Sequence, residues 1–140
     1  MIMTWWHFME SASPHEIVAM KIVDVIEFLK SKQGYLYFEG LVEAVLREFN
    51  SESVGGIVKE FLENPRESYK RLVKALGGLE CTAKALLICI LGELVKRYAP
   101  KADVVKIIKA IESGNNKFIR DCTNSFVKKL AAEAKQQSPV

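Results

Sequence analysis

The chain has 140 residues, 49% hydrophobic and 26% charged, with 20 basic and 17 acidic side chains and a net charge of +3. Those proportions describe one globular domain able to bury roughly two thirds of its unfolded surface, and they exclude a disordered chain. Eight Gly and four Pro exclude a fibrous or low-complexity protein.

Charge is unevenly spread. Residues 1–65 hold 5 basic and 10 acidic side chains, and residues 66–140 hold 15 and 7, so the halves carry −5 and +8. An acidic half and a basic half point to an acidic partner for the second, or to head-to-tail contact between copies. Two solvated faces give the same totals.

The chain opens on an apolar, Trp-rich segment, residues 1–13. It lacks the basic start and cleavage pattern of a signal peptide, which points to an intracellular protein. Ile2, Trp5, Trp6 and Met9 fall at helical spacing with Phe8 beside them. They either fold back on the core or dock into a protein partner or second copy, where Trp is an effective anchor. The segment has no Lys or Arg, which argues against a membrane surface.

Ser13-Pro14-His15-Glu16 has the form of a capping box with proline at the first helical position. The helix it opens runs to about Lys30 and turns Ile17, Val18, Ile22, Val25, Ile26 and Leu29 inward. Gln33-Gly34 breaks it, and Tyr35 to Phe38 read as a short extended piece. A second helix buries Phe38, Leu41, Val42, Val45, Leu46 and Phe49. Asn50-Ser51 is expected to cap a third, with Val54, Ile57, Val58, Phe61 and Leu62 inward. Gly55-Gly56 within it reads as a tight helix crossing.

Asn64-Pro65-Arg66-Glu67 repeats the logic of the first cap and starts a fourth helix that Gly77-Gly78 stops. Residues 80–98 are apolar on nearly every side and read as the central helix. The longest apolar run, Ala85 to Leu91, falls short of the roughly 18–20 residues that span a membrane. Pro100 ends this helix. Val104, Val105, Ile107, Ile108 and Ile111 define a sixth, closed by Ser113-Gly114. Asn115 or Asn116 caps a last helix with Phe118, Ile119, Cys122, Phe126, Val127 and Leu130 inward. The whole predicts an all-α, compact single-domain bundle of six to seven helices, packed mostly orthogonally around the helix at 80–98. Residues 14–136 make the helical domain and 137–140 a frayed tail.

Chemistry is sparse. Two histidines, His7 and His15, and no Cys-x-x-Cys leave no metal site to build, and no nucleotide-binding glycine motif occurs. No cofactor and no small-molecule substrate is indicated. Cys81 and Cys89 lie about 12 Å apart along one helix, too far for a disulfide. A reactive Cys81 would make the chain a small cysteine-dependent enzyme. Residues 38–62 can be laid over a helix-turn-helix, but the exposed side of its second helix carries Glu52, Glu60 and Glu63, where a DNA-reading helix wants Arg, Asn or Gln.

The basic half offers more. Arg66, Lys70 and Lys74 are spaced by four, with Arg71 alongside; Lys96, Arg97 and Lys101 cluster where the central helix ends; Lys106 and Lys109 follow. Lys117, Arg120, Asn124 and Lys128 run at three- and four-residue spacing along the last helix, with Lys129 beside them. Such residues neutralise phosphates without reading sequence. The expected function is therefore that of a non-enzymatic helical subunit of a larger assembly. Its basic half contacts nucleic-acid phosphates or another acidic surface, and its Trp segment contacts a protein or a second copy. The alternatives are a helix-turn-helix regulator, a protein-only adaptor and the cysteine enzyme.

Overall fold

The computed structural model describes residues 11–32, 36–50 and 53–137. Seven α-helices cover most of them: α1 Pro14–Ser31, α2 Leu36–Glu48, α3 Val54–Glu63, α4 Pro65–Ala75, α5 Glu80–Tyr98, α6 Val104–Ser113 and α7 Asn116–Gln137. They pack as one helical bundle, with no strand among the described residues. The Trp segment, Ile2, Trp5, Trp6, Phe8 and Met9, lies outside the described residues, as do residues 138–140. Among the described residues no single helix is long and apolar enough to cross a membrane.

Several helix ends follow from the residues next to them. Ser13 Oγ accepts the Glu16 amide at 3.2 Å and Pro14 opens α1. Asp103 Oδ1 accepts the amides of Val105 and Lys106 at the start of α6. Asn115 Oδ1 accepts the Phe118 amide at 3.1 Å at the start of α7. Gly114, at φ 72°, stops α6, and Gly77 and Gly78, at 73° and 81°, stop α4. The chain then bends by 117° between α4 and α5.

Four local expectations are corrected. Leu36 to Phe38 are helical, because the second apolar stripe already begins there. Ser53, not Asn50-Ser51, caps α3, with its Oγ on the Gly56 amide at 3.2 Å; Asn50 instead takes a left-handed φ of 51°. Asn64 gives no side-chain cap to α4, so Pro65 alone marks that start. Val105 is 59% exposed, because the inward stripe of α6 is Val104, Ile107, Ile108 and Ile111.

The core follows the apolar stripes. Ile17, Val25, Leu72 and Ala83 are almost wholly buried. Gly55 is not at a tight crossing: a Cβ there would meet Val23 at 3.9 Å, ordinary contact. The close approach is at Gly114, where a Cβ would lie 2.9 Å from Arg66 Cβ. Helix α1 lies across α3, α5 and α7, while α6 packs on α4, α5 and α7. The surprise is α5. It leaves Ile88 52% exposed, and it does not pack along α7. It packs instead on α1, α4 and α6.

Candidate functional site

The basic residues separate into two groups. On α4, Lys70, Arg71 and Lys74 are held in ion pairs. Lys70 Nζ lies 3.6 Å from Glu67, and Lys74 Nζ lies 3.3 Å from Glu48. Arg71 is half-buried. It donates to Glu60 Oε2 at 3.1 Å and to the Glu48 carbonyl at 3.2 Å. Its guanidinium sits 4.1 Å from the Phe49 ring centre, and Phe49 stacks on Phe61 at 6.0 Å. One cation thus ties α4 to α3 and the end of α2. Arg97 does similar work: it donates to Glu93 at 3.0 Å and covers the Phe28 ring at 4.4 Å.

The second group faces solvent. Lys96, Lys101, Lys106, Lys109, Lys117, Arg120, Lys128 and Lys129 are exposed, and none has an ion pair among the described residues. The buried stripe of α7 is Ile119, Thr123, Phe126, Leu130 and Ala134, which turns Lys117, Arg120, Asn124 and Lys128 outward. Helix α6 packs beside α7 and adds Lys106 and Lys109. Between residues 96 and 135 there are ten basic and four acidic residues. Two of the four acids are occupied: Asp103 caps α6, and Glu112 pairs with Lys84 at 3.3 Å. Arg66 leaves the α4 row and lies against Gly114, at the turn into α7. A small polar hollow of about 240 Å³ there is lined by Asn64, Arg66, Glu67, Ser113 and Asn116.

Comparison with protein-family models, curated proteins and solved structures finds no significant match to this chain. The reading of function therefore rests on its own residues.

A second feature was not legible in the sequence. Between α5 and α7 lies an apolar cleft of about 630 Å³. Leu87, Ile90, Leu91, Leu94 and Val95 line it from α5, and Phe118, Ile119, Cys122 and Phe126 from α7. Val18, Ile22 and Ile26 of α1 and Ile57, Val58 and Phe61 of α3 complete the lining. The ring contact of Tyr98 with Phe126, edge to face at 5.8 Å, ties the two helices together. The cleft reaches solvent at Lys101, Ala102, Asp121, Ser125 and Lys129, which line it and are exposed. A sealed void of that size would cost on the order of 15 kcal/mol, a whole domain's stability. The only hint in the sequence was that α5 is apolar on more sides than its neighbours cover.

Titratable groups inside the fold are few. Tyr69 Oη donates to Glu80 at 3.1 Å, and Lys84 bridges Glu80 and Glu112, so this chain of polar groups joins α4, α5 and α6. Burial, the Glu80 bond and the field of Glu112 push the Tyr69 hydroxyl well above its ordinary range. The three cysteines are free. Burial, with Asp121 beside it, pushes the Cys122 thiol up, which keeps it protonated and a weak nucleophile. Cys81 is exposed on the first turn of α5. Among the described residues no group of three or more His, Cys, Asp or Glu is placed to hold a metal.

Proposed function

We propose that this chain is a non-enzymatic helical subunit that binds the phosphate backbone of nucleic acid through α6, α7 and the end of α5. The observation that carries this reading is the division of the cations. Lys70, Arg71 and Lys74 of α4 pair with Glu67, Glu60 and Glu48, while Lys106 and Lys109 of α6 and Lys117, Arg120, Lys128 and Lys129 of α7 are exposed without an ion pair among the described residues. A surface that only needed solubility would gain as much from paired charges. Unpaired like charges repel, and a polyanion relieves that repulsion while releasing its own counterions. No aromatic side chain is exposed between these cations, so the contact is to phosphates rather than stacked bases. On α3 the solvent side offers Gly56, Lys59, Glu60 and Glu63, which favours α7 over a helix-turn-helix reading. Ile2, Trp5, Trp6, Phe8 and Met9 are then left for the protein side of the assembly.

Fluorescence anisotropy with random-sequence duplex DNA and RNA, at about 50 and 200 mM salt, tests this. Binding that weakens steeply with salt is the expected result. Replacing Lys117, Arg120 and Lys128 by Glu should lower affinity at least about tenfold, and their neutral Gln versions should flatten the salt slope by about three. No binding at the lower salt sinks the proposal and leaves a protein-only adaptor.

A further inference from the structure

We infer that the cleft between α5 and α7 binds one long-chain carboxylate, with its alkyl chain among the aliphatic side chains and its head group at Lys101 and Lys129. This goes beyond the phosphate-binding reading: the apolar walls are separate from that face, and Lys101 and Lys129 are shared with it.

Volume and lining come first. Protein interiors are close-packed, so a cleft of about 630 Å³ between two helices of a small domain is not a default of folding. It lies within the range of small-molecule sites, roughly 300–1,000 Å³. Its walls are Leu, Ile, Val and Phe, which fit a flexible hydrocarbon chain and offer nothing to orient a polar one.

Charge selects the head group. Lys101 and Lys129 both line the cleft and are exposed. Each stands three residues beyond one partner of the Tyr98–Phe126 ring contact. The carboxylate of the lining, Asp121, is eight residues before Lys129 on α7, about 12 Å along the helix. The exposed lining thus carries two ammoniums against one carboxylate. Ser125, also in the lining, supplies a hydroxyl one turn before Lys129 and one turn after Asp121 on the same helix. A neutral hydrocarbon would use the walls and ignore the lysines. A carboxylate with an alkyl chain uses both.

Calorimetric titration of the full-length protein with dodecanoate, with 1-dodecanol as the uncharged probe, tests the inference. One dodecanoate per chain is expected, with a melting temperature that rises with ligand concentration. Cys122→Phe and, separately, Val95→Phe should fill the cleft and lower affinity at least tenfold. A melting temperature equal to or above the wild type would show that these variants fold. Lys101→Glu with Lys129→Glu should weaken dodecanoate roughly tenfold and leave dodecanol unchanged. Absence of saturable binding overturns the inference. So does equal loss of acid and alcohol on charge reversal, or binding indifferent to the two Phe variants. Binding that emerges only when Trp5 and Trp6 are replaced by Ser also overturns it, because the chain itself would then be the occupant. Binding that weakens as protein concentration rises does the same in favour of a second copy. Duplex binding is read separately, so this result and that of the phosphate face can fail independently.

Discussion

Helices α4 and α7 carry the same kind of row, basic residues three and four apart on an outer face, and put it to different use. Arg71 and Lys74 of α4 reach Glu60 and Glu48 on neighbouring helices, and Lys70 reaches Glu67 on its own. Lys117, Arg120 and Lys128 of α7 reach no acid among the described residues. Spacing shows that a cation can lie on a face. Only the fold shows whether an acid from another helix meets it there. The acidic half of the chain has found the near edge of the basic half, and it leaves the far edge unsatisfied.

The sharpest way to break this comparison is to reverse charge on each row. Lys117→Glu with Arg120→Glu and Lys128→Glu is expected to cost at least about tenfold in duplex affinity at low salt, with melting temperature nearly unchanged. Lys70→Glu with Lys74→Glu should change affinity less than about twofold. Anisotropy and thermal melts read both. Equal losses from the two rows would mean that only net charge matters, and the face assigned to α6 and α7 would be lost.

Arg71 gives the next largest effect, on stability instead of binding. Arg71→Ala removes two charge-assisted hydrogen bonds and the cover over Phe49. Its cost is expected near 2 kcal/mol by urea unfolding, discounted for partial exposure, with duplex affinity unmoved. Arg71→Lys should recover little, since an ammonium cannot make both bonds while lying flat on the ring.

How much of this was legible follows from the kind of physics involved. Apolar periodicity is local, so the stripes of α1 and α7 were readable, and Ile17, Val25 and Ile119 are buried as expected. Ser13 and Gly114 act within one turn of chain and were readable too. The Ser53 cap was missed because Asn50, Ser51 and Ser53 are chemically equivalent starts, and the Asn50 backbone turned elsewhere. The Arg71 staple was missed because its partners stand 11 and 23 residues away. The cleft was missed for the same reason. Whether α7 closes on α5 depends on packing against α1 and α6, and an apolar stripe looks the same beside a neighbour or beside a gap.

Tyr69 sharpens the comparison through pH. Its hydroxyl donates to Glu80, and ionising it would set two anions together. The folded protein therefore holds this proton to higher pH than the unfolded chain does. Stability from this bond is complete below the unfolded value, about 10, and falls as pH rises above it. Lys84, whose pKa is raised first by its bond to Glu112, adds loss of the same sign. Tyr69→Phe is expected to cost about 1 kcal/mol near neutral pH and to make the alkaline fall shallower. Urea midpoints from pH 8 to 11 check this. An unchanged slope would mean that Tyr69 keeps no proton advantage in the fold.

The smallest effects come from two serines with opposite roles. Ser53 Oγ accepts an amide at the start of α3, so Ser53→Ala should destabilise by about 1 kcal/mol. Ser68, near the start of α4, is 1% exposed, and its Oγ has no hydrogen-bond partner among the described residues. That hydroxyl was taken out of water without a replacement, and Ala is the better helix former. Ser68→Ala is therefore expected to stabilise by about 1 kcal/mol, although it deletes a buried polar group. Urea midpoints of the two variants should move in opposite directions. If Ser68→Ala destabilises instead, its hydroxyl has a partner in solution, and the contact between α4 and α6 that holds Arg66 against Gly114 is the first place to look for it.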